Sequence, residues 1–268
     1  MKLTFGLLLS LFAISPVAQA QLSINSVGTP YVINFDSTVS GVSNGAYMAF
    51  GFQPNPTAGQ LDSDAWEVKG WNDFPTLNFG DTRTDLNTDL AQGHTTESVS
   101  AGGMYSIDLG TGSGNMLVLQ AGNSDFDPGT LTLRIVNNSG AAVTGFAVSY
   151  TRFVRNDKDR SDNFNWSWDT NSAGTFANSL NAYQSPATLS PDAILTATVN
   201  ATINTTLANG ASIYLRWKEV TASGTGQHDE FGIDDITITA VPEPSGTLMA
   251  SVASLLLLSL RRRGRKVS

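Results

Sequence analysis

The sequence predicts an all-β protein built as an antiparallel two-sheet sandwich with a jelly-roll-like arrangement. Up to the last 28 residues, apolar and polar residues alternate over short segments, which is the period of a half-buried strand. Gly, Asn and Ser mark turns between these segments, and helical periodicity is scarce. Roughly ten to twelve strands separated by such turns favour two sheets packed face to face.

The expected strands are most regular in the second half of the chain. Leu131, Leu133 and Ile135 share one face of a cleanly alternating segment, and Gly145 marks an expected β-bulge. The expected strands, in chain order, are 30–35 (PYVINF), 47–52, 65–71 (AWEVKGW), 104–109 (MYSIDL), 116–119, 130–136 (TLTLRIV), 143–154, 163–168, 194–207, 212–220 (SIYLRWKEV) and 231–240 (FGIDDITITA).

The N-terminus is typical of a secretory signal peptide. Lys2 supplies the positively charged N-terminal region, and residues 7–14 are apolar apart from Ser10. Ala18-Gln19-Ala20 forms a small-x-small cleavage site. The alternative is a membrane anchor, but the apolar run is short and cleavage residues follow it. We therefore expect residues 1–20 to be a signal peptide and residues 21–240 to be one β-sandwich domain.

The C-terminus, residues 241–268, combines three features in a fixed order. Val241, Pro242, Glu243 and Pro244 come first, an apolar run over 248–260 follows, and five of the last eight residues are basic. The run predicts a short hydrophobic helix, although a full membrane span needs roughly 17 to 25 residues. Arg and Lys clusters stay on the cytoplasmic side, which would leave the body outside the inner membrane. The alternative is an ordinary C-terminal helix.

These three features resemble the PEP-CTERM sorting signal of Gram-negative bacteria. The resemblance covers these 28 residues of 268, and Pro242, Glu243 and Pro244 match its recognition triplet. It implies processing by an exosortase, a membrane transpeptidase, after a transient stay of the precursor in the inner membrane. It also implies a final location in the cell envelope, on the outer surface or in the extracellular matrix.

Residues 129–239 carry a second resemblance. GTLTLRIVNNSGAAVTGFAVSY, NGASIYLRWKEV and DEFGIDDITIT are similar to a β-sandwich module of secreted bacterial proteins. The usual Gly-Glu-Gln-Trp after its long strand is replaced here by Thr151, Arg152 and Phe153. The resemblance supports the sandwich and implies no catalytic residues.

Composition excludes several classes of function. Between the two terminal segments the chain has nine basic and 22 acidic residues, a net charge of about −13, which repels nucleic acid. There is no cysteine, so disulfides and thiol chemistry are excluded. The two histidines, His94 and His228, are not spaced as a metal pair, and no G-x-S-x-G motif occurs.

Five acidic residues predict a calcium site, and no other cofactor is expected. Dense carboxylates repel one another unless a cation lies among them, and Ca²⁺ takes six to eight oxygen ligands. The alternative is that they are solvated loop charges or partners of Arg152 and Arg216. The five are Asp36, Asp229, Glu230, Asp234 and Asp235.

A second acidic segment has the spacing of alternating calcium ligands. Asp157, Asp159 and Asp162 are separated by Lys158 and Arg160, which neutralise them. The sequence therefore favours a solvated, mobile loop here rather than a metal site.

Trp166 and Trp168 lie two residues apart and are expected on the same face of a strand. An exposed pair would stack on sugar rings, whereas a buried pair would belong to the sandwich core. The sequence as a whole predicts an exported, non-catalytic protein of the surface or matrix that binds exopolysaccharide. The alternatives are a secreted hydrolase acting on polysaccharide and a structural matrix protein without a ligand.

Overall fold

The computed structural model describes residues 21–187, except 111, 113 and 123, and residues 194–243. Over these ranges the chain forms seventeen β-strands and no helix, which confirms the predicted fold class. The predicted signal peptide lies outside the described residues, as do Pro244, the hydrophobic run and the basic tail. The described part of the chain contains no helix with the length and apolar character needed to cross a bilayer.

The strands are β1 (Leu22–Ile24), β2 (Pro30–Ile33), β3 (Ser43–Asn44), β4 (Phe52–Gln53), β5 (Gln60–Asp62), β6 (Trp66–Lys69), β7 (Thr76–Leu77), β8 (His94–Thr95), β9 (Gly103–Asp108), β10 (Asn115–Gln120), β11 (Gly129–Asn137), β12 (Val143–Arg155), β13 (Ser161–Asp169), β14 (Asn178–Asn181), β15 (Ile194–Leu207), β16 (Ser212–Ser223) and β17 (Glu230–Pro242).

Two seven-stranded sheets make the sandwich. The first sheet has the order β14-β13-β16-β11-β6-β7 with β1 beside β11, and the second has the order β15-β12-β17-β10-β9-β8 with β2 beside β17. Strands β3, β5 and β4 form a small third sheet. Most neighbouring strands are antiparallel, but β1–β11, β4–β5 and β8–β9 are parallel, so the sheets are mixed.

Aromatic side chains fill the space between the two sheets. Trp166 of β13 stacks on Trp217 of β16 with ring centroids 5.9 Å apart, and Tyr150 of β12 meets both rings edge-on from the second sheet. Phe164 and Phe231 stack across the sheets with centroids 4.7 Å apart. The alternation along β16 explains one side of this core, because residues 213, 215 and 217 all point inward.

Two β-bulges adjust the second sheet. The register of β12 shifts between Val143 and Gly145, which confirms the bulge expected at Gly145. In β17, Asp235 has a φ of 49° and the pairing skips from Asp234 to Thr237 against β12. This extra residue changes the phase of the alternation. Before it, residues 231 and 233 face inward, and after it, residues 236, 238 and 240 do.

The first third of the chain departs most from the sequence prediction. Of the predicted strand 47–52, only Phe52 lies in a strand, at the start of β4, and residues 47–51 belong to the connection between β3 and β4. The first strand is β1, which pairs with β11 and was not predicted. The last strand continues through Pro242, so Val241 and Pro242 of the predicted sorting motif extend the sandwich.

Replacement of Gly51 by alanine is expected to lower the free energy of unfolding by about 3 kcal/mol, because left-handed strain and steric overlap add up. Gly51 has a φ of 95°, and a Cβ there would overlap the carbonyl oxygen of Arg83, whose backbone pairs with Phe52. Gly140→Ala is the matched control, with a φ of 84° and no described atom within 4 Å of the added Cβ. Urea denaturation that gives equal losses for both variants would contradict the overlap.

Candidate functional site

Three of the five predicted calcium residues come together beside β17. Pairing of β2 with β17 brings Asp36 near Asp234 and Asp235. Asp36 Oδ1 accepts the Asn115 backbone N–H at 2.7 Å, and Asp234 Oδ1 accepts that of Asp235 at 2.7 Å. Burial raises the pKa of Asp234 to about 8, and the charges of Asp235 and Asp36 add to the rise. Asp234 is buried and Asp235 is exposed.

Asp229 and Glu230 lie elsewhere and have different neighbours. Glu230 Oε1 accepts the Ser98 hydroxyl at 2.9 Å and the Val99 backbone N–H at 2.8 Å, and burial raises its pKa to about 7. Asp229 Oδ1 accepts the Lys158 backbone N–H at 3.2 Å, and burial raises its pKa to about 6. Both residues are buried, so neither is the solvated loop charge of the alternative reading.

The tightest group of ligand-type side chains is one that the sequence did not predict. Among the described residues, Asp162, Glu219 and His228 are the only set of three or more whose ligand atoms all lie within 4.8 Å of one another. Asp127 and Asp229 adjoin this set. We refer to these five residues as the interior acidic cluster.

The interior acidic cluster is held by strands of the first sheet and by two loops. Asp162 lies near the start of β13, and Glu219 faces inward from β16 two positions beyond Trp217. His228 and Asp229 precede β17, and Asp127 precedes β11. Asp162, Glu219 and Asp229 are each 0% exposed.

Hydrogen bonds define the protonation of the His228 ring. Arg160 Nη1 lies 2.6 Å from His228 Nε2, and a guanidinium can only donate, so Nε2 accepts. His228 Nδ1 therefore carries the proton and donates to Asp162 Oδ1 at 3.0 Å.

Asp127 Oδ1 accepts the Thr221 backbone N–H at 2.8 Å, and its Oδ2 lies 3.7 Å from Arg160 Nη1.

The Glu219 carboxylate lacks the hydrogen bonds that hold Asp162 and Asp127. Neither of its carboxylate oxygens has a hydrogen-bond partner within the described part of the chain. Burial, together with the charges of Asp162, Asp127 and Asp229, raises its pKa well above the ordinary value. A carboxylate in this position must be protonated or matched by a cation.

One signal in the sequence could have identified this residue. Glu219 continues the alternation of Ile213, Leu215 and Trp217, so it is in phase with the core-facing side of β16. Asp162 carried no such signal, because its charged neighbours indicated a solvated loop. The structure corrects that interpretation, since Asp162 lies in β13 and is fully buried.

The tryptophan pair does not form an exposed platform. Trp166 is 0% exposed and stacks in the core, so its ring is closed to a sugar. Trp168 is partly buried and packs against the same core. Trp66 and Trp71 are also buried. Core packing therefore accounts for Trp166, and its assignment to glycan stacking is corrected.

A polar cleft of about 460 Å³ lies on the outer face of the first sheet. Its lining includes Thr130, Asn165, Ser167, Thr175, Arg216 and Lys218. These side chains come from adjacent strands β11, β16 and β13, and the loop after β13 forms one wall. We refer to it as the first-sheet cleft.

Arg216 is held rigidly at the first-sheet cleft. Its guanidinium lies 3.4 Å from the centroid of the Phe176 ring, and its Nε–H donates to Thr132 Oγ1 at 3.0 Å. Its Nη2 donates to the Ser172 carbonyl at 3.2 Å and lies 3.5 Å from Glu67 Oε1. Two residues along β16, Tyr214 pairs with Phe79, with ring centroids 5.7 Å apart.

The outer face of the second sheet carries a comparable cleft of about 480 Å³. It is lined by uncharged residues, among them Ser149, Asn200, Thr202, Thr237 and Thr239. It lacks the guanidinium, the amino group and the aromatic wall of the first-sheet cleft.

Neither a protein-family model nor a curated protein matches this chain. Solved structures that are similar include the K1 adhesin domain of Lys-gingipain from Porphyromonas gingivalis W83, with 12% identity and a TM-score of 0.38 over 80% of this chain and 99% of that one. The K2 adhesin domain of Lys-gingipain has 11% identity and a TM-score of 0.38 over 78% and 97%. A CBM36 domain of a xylanase from a termite hindgut metagenome (Trinervitermes trinervoides) has 12% identity and a TM-score of 0.30 over 53% and 91%.

Proposed function

We propose that this protein is an exported, non-catalytic binding protein of the cell envelope or extracellular matrix that holds polysaccharide in the first-sheet cleft. The observation that carries the proposal is Arg216, a guanidinium fixed in place among hydroxyl and amide side chains on rigid strands. Such groups recognise sugar hydroxyls and carboxylates, and a fixed arrangement reduces the entropy lost on binding. The partly buried Tyr214 ring on the same face offers an apolar surface for a sugar ring.

The absence of catalysis is part of the proposal. A glycosidase needs two carboxyl groups that reach the scissile bond. In the tightest carboxylate group of the described residues, Asp162 and Glu219 are fully buried and closed to a polymer. The export and sorting steps are supported by the terminal sequence features, which lie mostly outside the described residues, and by the resemblance to an exosortase substrate.

Replacement of both Asn165 and Lys218 by alanine is expected to weaken polysaccharide binding roughly tenfold, because two polar contacts of about 0.5–1.5 kcal/mol each are lost. Lys218 is exposed and Asn165 is partly exposed, so the fold should persist. Binding would be measured by affinity electrophoresis and calorimetry with neutral glucans and uronic-acid polymers.

The matched control replaces Asn200 and Thr202, which line the second-sheet cleft, by alanine. This control should bind like the unaltered protein. Loss of binding in the control alone would place the ligand on the other face. Shortening of the polymer by the unaltered protein would favour the polysaccharide hydrolase instead.

A further inference from the structure

We propose that the interior acidic cluster binds one divalent cation, of the calcium class, through carboxylate oxygens of Asp162 and Glu219. This site is separate from the first-sheet cleft and from the Asp36, Asp234 and Asp235 group, and the inference does not depend on the proposed function.

The interior acidic cluster carries an excess of negative charge. Four carboxyl groups, those of Asp127, Asp162, Glu219 and Asp229, act on one another inside the sandwich, and Arg160 is the cation paired with Asp127 there. Like charges that are close together and buried are strongly unfavourable unless protons or a cation neutralise them. A divalent ion would offset most of the excess negative charge.

Several buried carboxylate oxygens of the cluster also lack hydrogen-bond partners within the described residues. Glu219 is 0% exposed, faces the cluster from β16, and leaves both of its oxygens without hydrogen bonds within the described residues. Asp162 Oδ2 is buried and lacks a partner in the same way. Three buried carboxylate oxygens without donors are unusual in a folded protein and are the ligand type that Ca²⁺ prefers.

The His228 ring decides the class of cation. Its Nδ1 faces Asp162 Oδ1 at 3.0 Å and Glu219 Oε1 at 3.8 Å, but this nitrogen carries the proton because Arg160 donates to Nε2. A protonated nitrogen cannot bind a metal, so His228 orients Asp162 and does not coordinate the ion. The remaining donors are all oxygen, which favours Ca²⁺ over Zn²⁺.

Entry from solvent is available on one side of the cluster. The Asp127 and Arg160 side chains are 17% and 12% exposed, whereas Asp162 and Glu219 are closed. An ion that enters past Asp127 would lose most contact with water and would stiffen β13 and β16 where Asp162 and Glu219 lie.

Calcium added to the chelator-treated full chain is expected to raise its melting temperature by roughly 5 °C or more at 100 times Kd, since the ion binds the native state. Calorimetry with Ca²⁺ alone should find one ion more per chain for the unaltered protein than for Glu219→Gln. Terbium, a calcium substitute, should show emission on tryptophan excitation, because Trp217 lies on the same face of β16 as Glu219.

Glu219→Gln keeps the size of the side chain and removes one repulsive charge, so without calcium it should be at least as stable as the unaltered protein. Asp234→Asn is the control and should keep the calcium bound at the interior acidic cluster. If Glu219→Gln does not fold, Asp162→Asn is titrated in its place. Equal calcium stoichiometry in the unaltered protein and the cluster variant would overturn the proposal. Tighter binding of Zn²⁺ than of Ca²⁺ would overturn the all-oxygen ligand set.

Discussion

Replacement of Trp166 by alanine is expected to lower the free energy of unfolding by about 3–5 kcal/mol, the range for a large aromatic deleted from a core. The Trp166 side chain is fully buried between the Trp217 ring at 5.9 Å and the Tyr150 ring at 4.9 Å. Its removal leaves a cavity that the rigid strands β13, β16 and β12 cannot close. Urea denaturation followed by tryptophan fluorescence and circular dichroism measures the loss.

The same variant separates stability from binding. Because Trp166 is closed to solvent, conditions that keep Trp166→Ala folded should leave its polysaccharide affinity unchanged. Leu86→Ala is the control on the surface, where Leu86 is 59% exposed and the expected change is within about 0.5 kcal/mol. A Trp166 variant of full stability with tenfold weaker binding would show instead that the ring contacts the sugar.

Replacement of Asp62 by asparagine is expected to stabilise the protein at pH 8 and to have little effect at pH 4. Burial raises the pKa of Asp62 to about 7, Asp64 adds to the rise, and the N–H of Asp64 and the charge of Arg134 oppose it. The folded state therefore keeps a proton on Asp62 that the unfolded state releases above pH 3.8.

Proton linkage determines how the free energy of unfolding changes with pH. Since the folded state binds the extra proton, stability falls as the pH rises from about 4 to about 7, by at most about 1.4 kcal/mol per pH unit. Above pH 7 the difference is constant, so Asp62→Asn should gain up to about 4 kcal/mol there. Asparagine also keeps the oxygen that accepts the Asp64 N–H at 2.8 Å.

Urea denaturation from pH 4 to pH 8, with chelator present throughout, measures this difference. Asp85→Asn is the control, because Asp85 is exposed and its variant should follow the pH profile of the unaltered protein. If Asp62→Asn lost stability at both pH values by the same amount, its carboxylate would be a favourable charge and not a desolvated one.

The long strands were predictable because each buries one face along its whole length. The segment 194–207 was predicted with its observed bounds, and the segments that became β11, β12 and β16 were found within three residues at each end. Of the strands of two to four residues in the first third of the chain, β2 and β6 lie within predicted segments, whereas β1, β3, β5 and β7 were missed. They bury too few residues to produce a periodic pattern, and partners far away in the sequence determine them.

The candidate sites were less predictable for a related reason. Alternation could have shown Glu219 to face the core. It gave no sign that Asp162 and His228 meet Glu219, since these residues are 57 and 9 positions away from it and belong to different elements. It also could not distinguish an exposed tryptophan from a buried one, because both faces of a sandwich strand can carry aromatics.

By itself, the sequence determined the all-β class, the long strands, the acidic character and the likeness of the two ends to export and sorting signals, since these depend on composition and local period. Only the tertiary structure decided that Trp166 belongs to the core, that Asp162, Glu219 and His228 converge, and that Arg216 is fixed in a cleft. The physical reason is that side chains on separate strands become neighbours through sheet order and register, which local periodicity does not specify.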